Sequence, residues 1–211
     1  MSVTAQFLLQ AAVALLAVAN PIGAAPIFLS LTADMDETER RHAALRAALI
    51  VYIILAVSAV GGAFVLRIFG VELAAFRAAG GLVILIMGLE MLLGSPTRVQ
   101  SDHSERVDSH ASEKGDPILV PFAMPLVAGP GAIATVIAMT ARGQGAGHIV
   151  VVLLAVAVVA VVLLGVLLVA GKFSGLESRF HAIFLRFMGL ILVSIGTQLL
   201  LSGILSFVSG G

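Results

Sequence analysis

Val150–Ala170 reads VVVLLAVAVVAVVLLGVLLVA, twenty-one residues without a charged or amide side chain. A bilayer core needs about 20 apolar residues per helix, and a run this uniform has no period-two polar face for a β-barrel strand. Working outward from it, residues 1–33, Ala47–Leu66, Pro117–Ala141, Ile149–Gly171 and Phe187–Gly211 are also charge-free. Leu73–Leu93 is apolar apart from Arg77 and Glu90. The gaps between charges predict six transmembrane helices near 5–31, 43–66, 73–94, 117–140, 147–171 and 184–208. The whole chain of 211 residues agrees, at 60% hydrophobic and 11% charged, against about 45–50% and 25% in soluble domains. Twelve Lys and Arg balance twelve Asp and Glu. So little charge cannot cover a soluble globule, and it leaves no basic patch for nucleic acid. The absence of cysteine removes disulfides, thiolate metal sites and a cysteine nucleophile.

Leu8–Leu16 followed by Ala17-Val18-Ala19 has the look of a signal-peptide core and cleavage site. No Lys or Arg precedes it, so the segment reads as the first membrane helix. The first, third and fifth loops hold Arg40, Arg41, Arg46, Arg98, Arg106, Lys114, Lys172, Arg179 and Arg186; the other side holds Arg67, Arg77 and Arg142. That asymmetry puts the odd-numbered loops in the cytoplasm and both termini outside.

Sliding the chain against itself by 108 residues, without gaps, places Gly23-Ala24 on Gly131-Ala132 and Leu31-Thr32 on Met139-Thr140. The same shift places Gly81-Leu82 on Gly189-Leu190, Gly88 on Gly196 and Glu90 on Gln198. Each half holds three helices, so the second runs through the membrane inverted, as in many secondary transporters. Residues 1–94 form the first repeat, 95–116 a polar cytoplasmic linker and 117–211 the second repeat. Six of the seven prolines fall in helices 1 and 4, the first helix of each repeat. Proline removes a helical hydrogen bond at a cost of about 3 kcal/mol, and lipid offers the freed carbonyl no partner. Helices 1 and 4 are therefore predicted to be kinked or broken near Asn20–Gly23 and Ala128–Gly131. Gly61-Gly62, Gly80-Gly81, Gly165 and Gly171 read as close helix contacts.

At the two clusters the chain resembles the MarC family of bacterial inner-membrane proteins. The resemblance rests on NPIGAAPIFLSLT at 20–32 and PLVAGPGAIATVI at 125–137, with Met188-Gly189 and Thr197-Gln198 in the last helix. It covers essentially the whole chain. It implies a six-helix inner-membrane protein related to small amino-acid exporters, some relatives being described as neutral amino-acid transporters.

The residues that interrupt the apolar background are the candidate site: Asn20, Pro21, Gly23, Pro26, Gly129, Pro130, Gly131 and Gln198 for substrate. Glu90, an acidic side chain well inside a span, is the candidate for proton or ion coupling, since an intramembrane carboxylate requires a partner or water. A pairing with Arg98 is the alternative for Glu90. Thr32 and Thr140 either touch substrate or bond back to helix carbonyls; Ser58, Ser194 and Thr197 read as packing. Asp34–Arg41 reads as a capped, charged helix start. His42, His148 and His181 lie near the interfaces with no role assigned. The acidic and histidine residues of 95–116 fit no strong metal pattern, so no metal or cofactor is assigned.

These features describe an all-α integral membrane protein and a non-enzymatic secondary transporter. Half-helix N-termini suit a carboxylate and freed carbonyls an ammonium, so a small neutral amino acid is the expected cargo, moved by rocking one repeat against the other. A small ion or metal channel or exporter, and a non-transporting membrane stress-response factor, are the alternatives. The partners are the lipid bilayer and a small-molecule or ion substrate, without nucleic acid, and the pattern leaves room for a homo-oligomer. The orientation has a direct check. Alkaline phosphatase fused after Gly211 is expected to be active, whereas a cytoplasm-only reporter active at that position overturns the topology.

Overall fold

The computed structural model describes residues 3–93, 127–141, 143, 146–170 and 178–209, and every regular element among them is helical. In chain order these are α1 (Val3–Ala19), α2 (Pro21–Leu31), α3 (Glu37–Ile68), α4 (Leu73–Leu93), α5 (Pro130–Thr140), α6 (Ala146–Ala170) and α7 (Ser178–Ser209). By length and composition four of them can cross a membrane: α3, α4, α6 and α7. The predicted first helix is present as α1 and α2, bent by 41° at Asn20, which together make a fifth apolar unit. The polar linker 95–116, the first part of predicted helix 4 at 117–126, Arg98, Arg142 and Gly171 lie outside the described residues.

Local chemistry sets the ends of these helices. Helix α3 starts earlier than its apolar run because Asp36 caps it. Asp36 Oδ1 accepts from the Glu39 N–H at 2.7 Å, and Glu39 Oε2 accepts from the Asp36 N–H at 3.1 Å, a complete capping box. Its other end closes on Gly70, whose φ of 67° only glycine adopts freely. The Val71 N–H reaches Leu66 O at 2.9 Å and the Gly70 N–H reaches Arg67 O at 3.1 Å, which together form a Schellman stop.

Small and branched side chains make the core. The inward stripe of α3 is Ala43, Ala44, Ala47, Ala48, Val51, Leu55, Ala59 and Gly62. Helix α3 packs on α6, which buries Val152, Ala155, Val156, Val159, Leu163 and Leu167. Helix α6 also lies against α1 and α2, and α5 contacts α1, α3 and α4. Val57, Val60, Phe64, Val161 and Leu205 point outward; a water-facing surface of that kind is costly, and a lipid-facing one is not.

Among the described residues the most extensive contact joins α4 and α7. They cross antiparallel with backbones touching. A Cβ on Gly88 would stand 2.6 Å from Val193 N and 2.8 Å from Gly189 O, and one on Gly196 would stand 2.5 Å from Leu85 N and 2.8 Å from Gly81 O. Gly203 meets Ala74 O and Ala78 N in the same way. The shift of 108 residues carries Gly81 onto Gly189 and Gly88 onto Gly196, so it exchanges the Gly81–Gly196 contact with the Gly88–Gly189 contact. Between them lie Ile84 and Leu192, which the same shift superposes and which are both fully buried. The expectation of close packing therefore holds for Gly80, which meets Ala134, for Gly81, and for Gly62, which meets Ile137. Among the described residues it fails for Gly61 and Gly165, where a side chain would meet open space.

The difference is measurable. Gly196→Ala presses a methyl into backbone that cannot yield and is expected to cost about 1–3 kcal/mol. Gly61→Ala and Gly165→Ala should be neutral or stabilising by up to about 1 kcal/mol through helix propensity. Thermal melting of the three variants in detergent separates the two outcomes.

Candidate functional site

Interruption of the first helix follows from three residues acting together. Pro21 has no N–H to give Ala17 O and disfavours the α conformation in the residue before it. Asn20 accordingly takes φ 43° and ψ 62°, the one positive φ outside glycine among the described residues. Asparagine tolerates that left-handed geometry better than other side chains. From there its Oδ1 accepts the Gly23 N–H at 3.2 Å and caps α2. Gly23 is required by the cap, because a Cβ there would stand 2.9 Å from Asn20 Cγ. Asn, Pro and Gly thus form one device that ends α1 and starts α2. Asn20 Nδ2 faces Met91 Sδ at 3.9 Å, which brings the break beside α4 one residue from Glu90.

The start of α5, where the sequence predicts the second break, is built differently. Gly129 is extended, with φ −68° and ψ 176°, and Pro130 occupies the first position of α5. Gly129 supplies no side-chain cap, so among the described residues the first-turn N–H groups of α5 have no side chain capping them. Gly131 is buried, and a Cβ there would lie 2.9 Å from Ile84 Cγ1 and 3.4 Å from Val18 Cγ1. The start of α5 therefore rests on α1 two residues before Asn20, and on α4 at its deepest residue. Helices α2 and α5 have 11 residues each, about 16 Å at 1.5 Å per residue, roughly half of a 30 Å bilayer core.

An open cavity of about 100 Å³ lies between α1, α5 and α7, lined by Ala14, Thr135, Ala138, Met139, Ile195, Gln198 and Leu199. Gln198 is its amide. Thr135 spends its hydroxyl on Gly131 O at 2.8 Å, one turn back. The candidate residues consequently form two groups. Asn20, flanked by Pro21 and Gly23, faces Met91, while Gly129, Pro130 and Gly131 start α5 and Gln198 shares a cavity with Thr135, Ala138 and Met139 further along it. Pro26 stands apart from both, inside α2 and exposed. Glu90 is half-buried, and its Oε2 is buried with no hydrogen-bond partner among the described residues. Thr32 and Thr140 bond back to Phe28 O and Val136 O at 2.8 and 3.0 Å. Ser58, Ser194 and Thr197 also bond back to carbonyls of their own helices. Met91 and Thr135 were not singled out by the sequence. The signal for Thr135 was its place one turn after Gly131; Met91 gave none.

The family model described as MarC family integral membrane protein matches residues 5–208. The chain belongs to the MarC family. It is 34% identical over 199 residues to the membrane protein YvbG of Bacillus subtilis (strain 168), covering 94% of each chain. It is 32% identical over 190 residues to the membrane protein PH0760 of Pyrococcus horikoshii, covering 89% of each. It is 31% identical over 206 residues to the inner membrane protein MarC of Salmonella arizonae, covering 93% of each. No solved structure matches the chain.

The cap at the first break carries its own prediction. Asn20→Gly keeps the left-handed backbone and loses a few tenths of a kcal/mol, whereas Asn20→Ala loses both cap and conformation, about 1–3 kcal/mol. Chemical unfolding in mixed micelles tests the order; an alanine variant as stable as the glycine variant contradicts the role of φ at Asn20.

Proposed function

We propose that this MarC-family protein is a secondary transporter of two inverted three-helix repeats that moves a small neutral amino acid by alternating access. The observation that carries the reading is the approach of two interrupted helices inside an apolar slab, Gly131 of α5 against Val18 of α1. Broken helices at membrane depth are tolerated where they line a site. Two further features support the repeat. The glycine contacts of α4 and α7 exchange under the 108-residue shift, and α3 packs on α6, which the same shift relates. The uncapped N-terminus of α5 suits a carboxylate, and carbonyls deprived of donors by Pro21 and Pro26 suit an ammonium. Gln198 and the Ala, Ile and Met walls of the cavity leave room for a small apolar side chain. Glu90 is the coupling group in this reading, its buried oxygen awaiting a proton or a cation.

The glycine seam changes the motion expected from sequence. It ties the third helix of one half to the third helix of the other, backbone to backbone, so rocking whole halves past each other would separate the most extensive contact among the described residues. In this reading α4 and α7 stay together, and the bend at Asn20 and the start of α5 move against them. The protein sits in the bacterial inner membrane with both termini outside, assigned no chemistry beyond translocation and no nucleic-acid partner.

Purified protein in proteoliposomes, offered radiolabelled alanine, serine, glycine or threonine, is expected to accumulate at least one of them. Asn20→Ala and Gln198→Leu should each lower that uptake about tenfold or more, the loss of about 1.4 kcal/mol in binding or gating, while Gly165→Ala keeps it. No uptake by the wild type, or unchanged rates in both variants, ends the proposal. Single-channel conductance in planar bilayers would move it to the channel class.

A further inference from the structure

The C-terminal ends of α2 and α5 are each held by one side chain from the first turn or so of the helix that follows. Arg40 of α3 donates through Nη2 to Thr32 O at 3.4 Å and to Met35 O at 3.2 Å, at the end of α2. His148 of α6 bonds through Nε2 to Met139 O at 2.9 Å, in the last turn of α5. With a carbonyl as acceptor, that nitrogen carries the proton. The 108-residue shift places Arg40 on His148 and Leu31-Thr32 on Met139-Thr140. Two chemically unlike side chains thus bond terminal helix carbonyls in the two halves, Thr32 O and Met139 O, which the shift leaves one residue apart, where a cationic or donor group meets the negative end of the helix dipole.

The His148 place is built for its ring. The imidazole lies 4.6 Å from the Phe7 ring of α1, tilted by 36°. Gly143 leaves it space, since a Cβ there would collide with the imidazole. One side chain therefore joins α1, the end of α5 and the start of α6. Arg77 of α4 adds a second donor to α5, from Nη2 to Ala138 O at 3.4 Å.

We infer that Arg40 and His148 are equivalent positioning residues, each latching the far end of one half-helix and so holding the intramembrane break at its other end in place. This rests on the repeat proposed above, and it predicts effects confined to one half at a time. The native chain has no cysteine, so single cysteines report cleanly. Thr32→Cys and Thr140→Cys, in folded protein reconstituted into vesicles, are labelled with a maleimide dye. His148→Phe keeps a ring on Phe7 but removes the donor. It is expected to raise labelling at position 140 about fivefold or more and leave position 32 unchanged, and Arg40→Ala to do the reverse. His148→Arg, the residue its own counterpart uses, should restore slow labelling at position 140. Equal acceleration at both positions marks general loosening and overturns the inference, as does no change in either variant. Should His148→Phe fail to fold, His148→Gln, which retains a donor, must label as slowly as the wild type for the inference to stand. The readout needs no substrate, so a failure of amino-acid uptake leaves it intact and a failure of the latches leaves uptake untouched.

Discussion

Where α4 crosses α7, backbone meets backbone, and α5 and α1 pack against the pair, α5 on α4 and α1 on α7. Lipid tails are as apolar as leucine, so helices in a bilayer gain little from hiding apolar surface and depend on close van der Waals contact. Gly81, Gly88, Gly189, Gly196 and Gly203 supply it by having no side chain to hold the helices apart. At the centre of the seam Ile84 is fully buried, and Gly131 of α5 rests on it. The start of the second interrupted helix thus has its position set by the same crossing that joins the third helices.

Two breaks in an apolar slab require explanation because unpaired backbone is expensive there. The first carries its own remedy. Asn20 bends the chain, caps the new helix with its amide and needs Gly23 for the room to do so. The second has no side-chain cap at Gly129, and the cavity lined by Gln198 lies further along the same helix, from Thr135 to Met139. The asymmetry recurs at the opposite ends of the half-helices, where an arginine serves one and a histidine the other. It recurs again in the Glu90 and Gln198 pair, of which only the first can ionise.

Much of the fold was legible in the sequence. Charge-free runs of bilayer length give the spans, because inserting a charge costs more than any loop saves. Pro21 next to Asn20 signals an interruption, since a missing N–H is a covalent fact. The Asp36 capping box was legible for the same local reason. Other features misled or stayed silent. Gly61 and Gly165 look like packing glycines but face open space, and Pro26 belongs to the candidate cluster by spacing yet points outward from α2. His148 has no local pattern, and its partners are Phe7 and Met139, from two other helices.

The sequence by itself determined that this is an apolar chain of membrane-length helices, with an interruption at Asn20–Pro21 and a helix that starts at Pro130. Those properties follow from each residue's transfer energy and from backbone chemistry within a few positions. Only the tertiary structure decided which glycines touch a neighbouring backbone, that the start of α5 lies against Val18 and Ile84, and that Gln198 opens on a cavity while Pro26 does not. In a helix whose whole surface is apolar, hydropathy does not mark one face as inward. That choice is made by the shape of the neighbouring helices, through the closeness with which their backbones can pack.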